Sequence, residues 1–202
     1  MNKKLIVINL FAGPGAGKST IRAGVFAKLK RLGFKVEEVT EYAKDKTWED
    51  NISALSDPLY MLANQNRRLY RLNSKVDMVI SDSPLLLSIN YTPLEYLPQT
   101  FQNLVWELWD TYENINFFIR RTKAYQKFGR SQDEHEAIEI DDRIRTMLEE
   151  KGISYVEVKG DESGEATMVS VLSSIFLTRQ AQEMGFYDNS NQVTSTVQQP
   201  NS

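Results

Sequence analysis

The residues best equipped for chemistry stand together near the start of the chain: Ala12-Gly13-Pro14-Gly15-Ala16-Gly17-Lys18-Ser19-Thr20. Glycines at this density let backbone N–H groups close around a phosphate, and the N-terminus of a following helix adds a positive end. Lys18 can neutralise the β/γ oxygens, and the Ser19 hydroxyl can ligate Mg2+. The segment therefore reads as a phosphate loop for MgATP, with Gly13, Pro14, Gly15, Ala16, Gly17, Lys18, Ser19 and Thr20 holding the nucleotide. Ala12 takes the position where the strict pattern has its first glycine, a substitution such loops tolerate.

Other groups could complete a transfer reaction. Asp82 ends an apolar run, where a carboxylate can hold Mg2+ with Ser19; Asp82-Ser83-Pro84 also suits a helix cap. Glu41 ends a second extended run and can orient a hydroxyl and accept its proton, with a solvated strand-end glutamate as the plain alternative. Arg120, Arg121, Lys123, Lys127 and Arg130 fall within eleven residues, interleaved with Tyr125 and Phe128. A basic segment of this kind can close on phosphates, offset charge in the transition state and exclude water, and Arg130 is the arginine best placed for that part. Tyr42, Gln65, Arg68 and Arg120 are the candidate substrate contacts. The single histidine, His135, stands among acidic residues and is assigned no role.

These residues need a scaffold, and the apolar pattern supplies one. Leu5 to Phe11 predicts a buried strand leading into the loop, and Ser19 to Leu32 predicts a helix stopped by Gly33. Strands are expected at Val36 to Thr40, Met78 to Ser81, Asn116 to Ile119 and Ser154 to Val158. A helix starts at Ser56-Asp57-Pro58, with Leu59, Leu62, Leu69 and Leu72 on one face and Asn64, Gln65, Arg67, Arg68 and Arg71 on the other. Further helices are expected at Phe101 to Tyr112, about Glu134 to Lys151 and about Ala166 to Gln182. Strands alternating with helices make an α/β fold with a mostly parallel sheet.

Composition narrows the options. A chain of 202 residues with 41% apolar content can bury one core, so one domain over residues 1–187 is expected. Residues 188–202 are polar and nearly uncharged, and read as a disordered tail. With 24 basic and 27 acidic residues the net charge is -3, which excludes a global field for sequence-blind nucleic-acid binding. The absence of cysteine excludes disulfides, thiolate metal sites and cysteine nucleophiles. Leu5 to Ala12 is too short to span a bilayer and carries no signal-type cleavage region, so a cytoplasmic protein is expected.

Phe-Ala-Gly-Pro-Gly-Ala-Gly-Lys-Ser-Thr, Thr-Glu-Tyr-Ala at 40–43, Ala-Asn-Gln-Asn-Arg-Arg at 63–68 and Ser-Asp-Ser-Pro-Leu-Leu-Leu at 81–87 together resemble phage-encoded P-loop kinases of the thymidylate-kinase-like group. Within that group the chain looks most like kinases of 5-hydroxymethyluracil in phage DNA. Glu41-Tyr42-Ala43 is more distantly similar to nicotinamide riboside kinases. The resemblance implies a P-loop NTPase fold with strand order 2-3-1-4-5 and an arginine-bearing lid, ATP as donor and Mg2+ as the ion. It implies a DNA hydroxymethyl group as acceptor, with Tyr42 and Trp48 stacking an extruded base and Lys44, Lys46, Arg67, Arg71, Lys123 and Lys127 facing its phosphates. A free nucleoside, nucleotide or nicotinamide riboside as acceptor, and a P-loop ATPase switch, are the alternatives.

Overall fold

A computed structural model describes residues 4–92, 98–122 and 133–184. Five strands, β1 (Ile6–Phe11), β2 (Val36–Val39), β3 (Met78–Ser81), β4 (Glu113–Arg120) and β5 (Val156–Lys159), form one sheet in the order β2-β3-β1-β4-β5. Every pairing is parallel, so each strand end at which function could gather lies on the same edge. The expected fold class and strand order are both observed. β1 is central because all six of its residues are apolar or amide and all are buried, which a strand covered on both faces requires.

Among the described residues the helices are α1 (Lys18–Arg31), α2 (Tyr42–Trp48), α3 (Ile52–Leu55), α4 (Pro58–Tyr70), α5 (Leu87–Tyr91), α6 (Pro98–Asp110), α7 (Glu134–Glu150) and α8 (Glu162–Glu183). Leu5, Val7 and Phe11 pack with Leu62 and Leu69 of α4, Phe101 and Trp109 of α6, and Ile140 and Ile144 of α7 in one apolar core. Ile6, Ile8 and Leu10 alternate to the opposite side, where Ile21, Val25 and Leu29 of α1 are buried. At about 25 cal/mol per Å2 of apolar surface removed from water, such side chains each contribute roughly 1.5–3 kcal/mol to holding the sheet. The described residues from 170 onward separate as a second unit. Within its described part, Arg179 lies 5.8 Å over the ring of Phe176.

Local signals account for most boundaries. Asp57 accepts the Tyr60 N–H and Pro58 occupies the first turn of α4. Asp133 and Glu136 close a capping box on α7. His135 decorates that helix, its Nδ1 3.3 Å from Glu139. Other expectations need correction. α2, α3 and α5 had no predicted counterpart, being too short for periodicity to register. β4 starts three residues earlier than expected and α8 four. Gln65, expected on the polar face of α4, is only 5% exposed, while Leu59, expected on the core face, is 41% exposed. Positions 62, 65 and 69 share a helix face, and tertiary contacts rather than residue polarity decide which face is buried. The expected tail at 188–202 lies outside the described residues.

Candidate active site

Register fixes where the loops emerge. Ser81 is paired with both Asn9 and Val39, so Asp82 after β3, Ala12 beyond β1 and Glu41 beyond β2 all leave the same edge of three adjacent strands. Gly15 (φ 79°) and Gly17 (φ 98°) adopt the left-handed backbone that turns the chain back into α1. Gly17 is also the N-cap of α1 and has no side chain to bond there, leaving the first-turn N–H groups open for an anion. Lys18 straps the loop through its Nζ, which donates to Ala12 O at 2.6 Å and Gly13 O at 2.9 Å. Burial lowers the Lys18 pKa from its ordinary 10.5, while Glu41, Asp82 and Asp141 pull it back up. Ser19 and Thr20, next in the helix, are exposed.

The loop is also gripped from outside, by Arg121 of the basic segment and by Asp141, which the sequence did not mark. The Gly13 N–H donates to Asp141 Oδ1 on α7, whose Oδ2 accepts from Arg121 Nε at 2.7 Å. Arg121 donates further to Pro14 O at 2.5 Å and Ala137 O at 3.0 Å. Gly160, just past β5, donates its N–H to Arg120 O at 2.8 Å. A Cβ on Gly160 would stand 2.4 Å from the carbonyl oxygen of Ala16, a backbone atom inside the phosphate loop. Gly160→Ala should therefore displace the loop, weakening ATP binding by about tenfold or more and stability by roughly 1–3 kcal/mol. Titration calorimetry and thermal melts measure both, and unchanged ATP affinity would show that this contact is irrelevant. No sequence signal marked Asp141, one of several acids on α7; Gly160 could have been noted as a glycine closing a strand.

Two carboxylates face the loop. Asp82 is 4% exposed, and its Oδ2 lies 3.4 Å from Arg22 Nε of α1. Arg22 also approaches Glu38 at 3.6 Å. Asp82 Oδ1 is buried without a hydrogen-bond partner, as are Nε and a terminal nitrogen of Arg22. A buried carboxylate oxygen with no protein partner fits the oxygen donors that Mg2+ takes, and the exposed Ser19 hydroxyl is the second candidate ligand. Asp82 caps no helix: α5 begins at Leu87 with Leu86 as its cap. Glu41 precedes α2 in extended conformation. Burial raises its pKa above the ordinary 4.5, reinforced by Asp82 and Asp45 and opposed by Lys18 and Lys44. Tyr91, at the end of α5 and 48% exposed as a residue, was not anticipated; desolvation, then Glu41 and Asp141, push its phenol above the ordinary 10.0.

The expected substrate contacts separate into two groups. Tyr42, Gln65 and Arg68 surround Glu41. The Tyr42 N–H donates to Gln65 Oε1 at 2.8 Å, Gln65 Nε2 donates to Thr40 O at 3.4 Å, and Arg68 donates to Thr40 Oγ1 at 2.7 Å while pairing with Asp45. Gln65 and Arg68 thus hold the backbone on both sides of Glu41. The Tyr42 ring carries Arg68 at 5.0 Å and Lys46 at 5.2 Å, and its hydroxyl meets that of Tyr60 at 2.7 Å. Arg120 is not in this group. It lies three strands away, about 14 Å at the usual strand spacing. There it lines a cavity of about 250 Å3 with Glu157, Lys159, Ser163 and Thr167. Trp48 is 60% exposed, and Lys44, Arg67 and Arg71 are exposed. Arg130, Lys123 and Lys127 lie outside the described residues.

A parallel sheet in this order, a glycine-rich loop from its central strand, a lysine inside that loop and a carboxylate at the adjacent strand end define a P-loop NTPase fold. Residues 7–164 match the model of an AAA domain, and the chain belongs to that family. No curated protein matches it. Among solved structures it resembles a NadR protein crystallised in complex with NR, with a TM-score of 0.62 and 18% sequence identity over 78% of this chain. The chain spans 46% of that protein's length. Among the described residues, no helix is long and apolar enough to cross a membrane.

Proposed function

We propose that the protein is an ATP-dependent kinase that phosphorylates a hydroxyl of a free nucleoside-type acceptor. One observation carries this reading: Glu41, just beyond β2, leaves the same strand edge as the loop that carries Lys18, and the two charges shift each other's titration. A base facing the phosphate-neutralising lysine is what hydroxyl phosphorylation requires. The loop N–H groups and the open end of α1 seat the phosphates of ATP, and Lys18 exchanges its two carbonyl acceptors for phosphate oxygens. Ser19 and Asp82 would hold Mg2+, which would offset the negative charge of the terminal phosphates. Glu41 takes the proton as the acceptor oxygen bonds to the γ-phosphorus, and the bond from that phosphorus to the β–γ bridging oxygen breaks, releasing ADP. The cavity lined by Arg120, Lys159 and Thr167 would take the adenosine end of ATP.

Two of the cations near Glu41 are already engaged, which favours an acceptor without its own phosphate. Arg68 is engaged with Thr40 and Asp45, and Lys46 pairs with Glu49 at 2.5 Å. Tyr42 is already covered by Arg68 and Lys46, which leaves less of its ring for an extruded DNA base. The NadR protein crystallised in complex with NR, similar in fold, supports the same choice by analogy. The DNA hydroxymethyl acceptor rests on the sequence resemblance. γ-Labelled ATP should be offered with free nucleosides, nucleotides, nicotinamide riboside, ordinary DNA, hydroxymethyluracil DNA and no acceptor. The expected result is label on a nucleoside, insensitive to salt. Incorporation into hydroxymethyluracil DNA alone, falling steeply with salt, would replace the nucleoside reading, and steady phosphate release without acceptor would replace the kinase with an ATPase.

A further inference from the structure

We infer that Asp141 and Arg121 form a strut that sets the shape of the phosphate loop before nucleotide arrives, which makes Asp141 a positioning residue for ATP binding. The inference rests on the ATP site proposed above. Asp141 is 128 residues from Gly13 in sequence, yet both of its oxygens are committed at the loop, one to the Gly13 N–H and one to Arg121. All three guanidinium nitrogens of Arg121 are fixed in turn, on Asp141, Pro14 O and Ala137 O. The pair is largely buried, with side chains 17% and 13% exposed.

Loop and strut meet with no space between them. A Cβ on Gly13 would stand 2.6 Å from Ala137 O, 3.0 Å from Arg121 and 3.1 Å from Asp141. Gly13, expected to offer its N–H to phosphate, instead gives that donor to Asp141, so its contribution is to shape. Lys18 grips the carbonyls of residues 12 and 13 from the inner side. Once Lys18 turns to phosphate, the strut alone holds this peptide. A glycine-rich loop loses much conformational entropy when it closes on a ligand, and fixing it beforehand moves that cost from binding to folding. Seen from Lys18 the two charges oppose each other, Asp141 raising its pKa and Arg121 lowering it, so the pair acts through geometry more than through its field.

The test uses the full chain with Asp141→Ala, Arg121→Ala, the double variant and Asp141→Asn, measuring ATP Kd, KM against kcat, and amide exchange at residues 12–15. Each single alanine variant should weaken ATP binding about tenfold, with the loss in KM rather than kcat. The double variant should bind no more weakly than the worse single variant, because one strut is broken once. Asp141→Asn keeps an acceptor for Gly13 but turns an NH2 toward Arg121, and should fall between wild type and Asp141→Ala. Loop amides should exchange faster in all four. An Asp141→Ala affinity within twofold of wild type, or losses that multiply in the double variant, would overturn the inference. If Asp141→Ala does not fold, Asp141→Asn and Arg121→Lys decide by the same criteria. A wild-type chain that binds no ATP would instead overturn the ATP reading, while unchanged loop exchange in the variants would count against the strut.

Discussion

Lys18→Ala should abolish phosphoryl transfer, lowering kcat/KM by on the order of a thousandfold or more. A unit charge about 4 Å from a phosphate oxygen at an effective dielectric near 20 is worth roughly 4 kcal/mol, and each ~1.4 kcal/mol of lost transition-state stabilisation is a factor of ten. The side chain is already desolvated and fixed over the loop, so little reorganisation remains when phosphate replaces the carbonyls of Ala12 and Gly13. Burial works against the ammonium, so its removal should not lower the melting temperature by more than a few degrees. Single-turnover transfer of label, with a thermal melt on the same sample, separates the chemistry from folding. Transfer near the wild-type rate would remove Lys18, and with it the loop, from the mechanism.

Glu41→Gln should lower kcat by roughly 10²–10⁴ with little change in ATP affinity, since proton acceptance is lost while the phosphate site is untouched. The pH profile gives a second readout. A base works only when deprotonated, and the Glu41 pKa is raised by burial, so the acid limb of kcat/KM should lie above the ordinary glutamate value of 4.5 and vanish in the variant. Stability should move the other way. A carboxyl whose folded pKa exceeds its unfolded pKa binds its proton more tightly in the native state. Stability is then lost as pH rises from the unfolded pKa through the folded one. Glutamine escapes that loss, so the variant should melt higher than wild type at pH 7 and match it in acid. An unchanged kcat, or an acid limb that survives the substitution, would show that the proton goes elsewhere.

What the sequence determined is what local chemistry determines. A run of buried residues ending in glycines, lysine and serine admits few backbones, and β1, the loop and α1 follow from it. Alternation of strand and helix patterns dictated parallel pairing, because right-handed crossovers join each strand to the next. Glu41 and Asp82 could be picked out because each ends a strand, and parallel strands gather their ends on one edge. The sheet order came from the family resemblance, and the register confirms it.

Tertiary structure decided what depends on contacts between residues far apart in the chain. Gln65 reads as a surface glutamine in any helical pattern, yet it is buried because Thr40 and Tyr42 present backbone groups that its amide satisfies. Arg120 and Arg121 are neighbours in sequence, but Arg120, the last residue of β4, lines a cavity with residues of β5, while Arg121, just past the strand end, bonds the phosphate loop. Asp141 has the residue type and helical setting of the other acids on α7, and only the approach of Gly13 and Arg121 distinguishes it. Periodicity along a chain records which face is buried, while the identity of a partner 128 residues away is set by packing, so the loop was legible in sequence and its partner Asp141 was not.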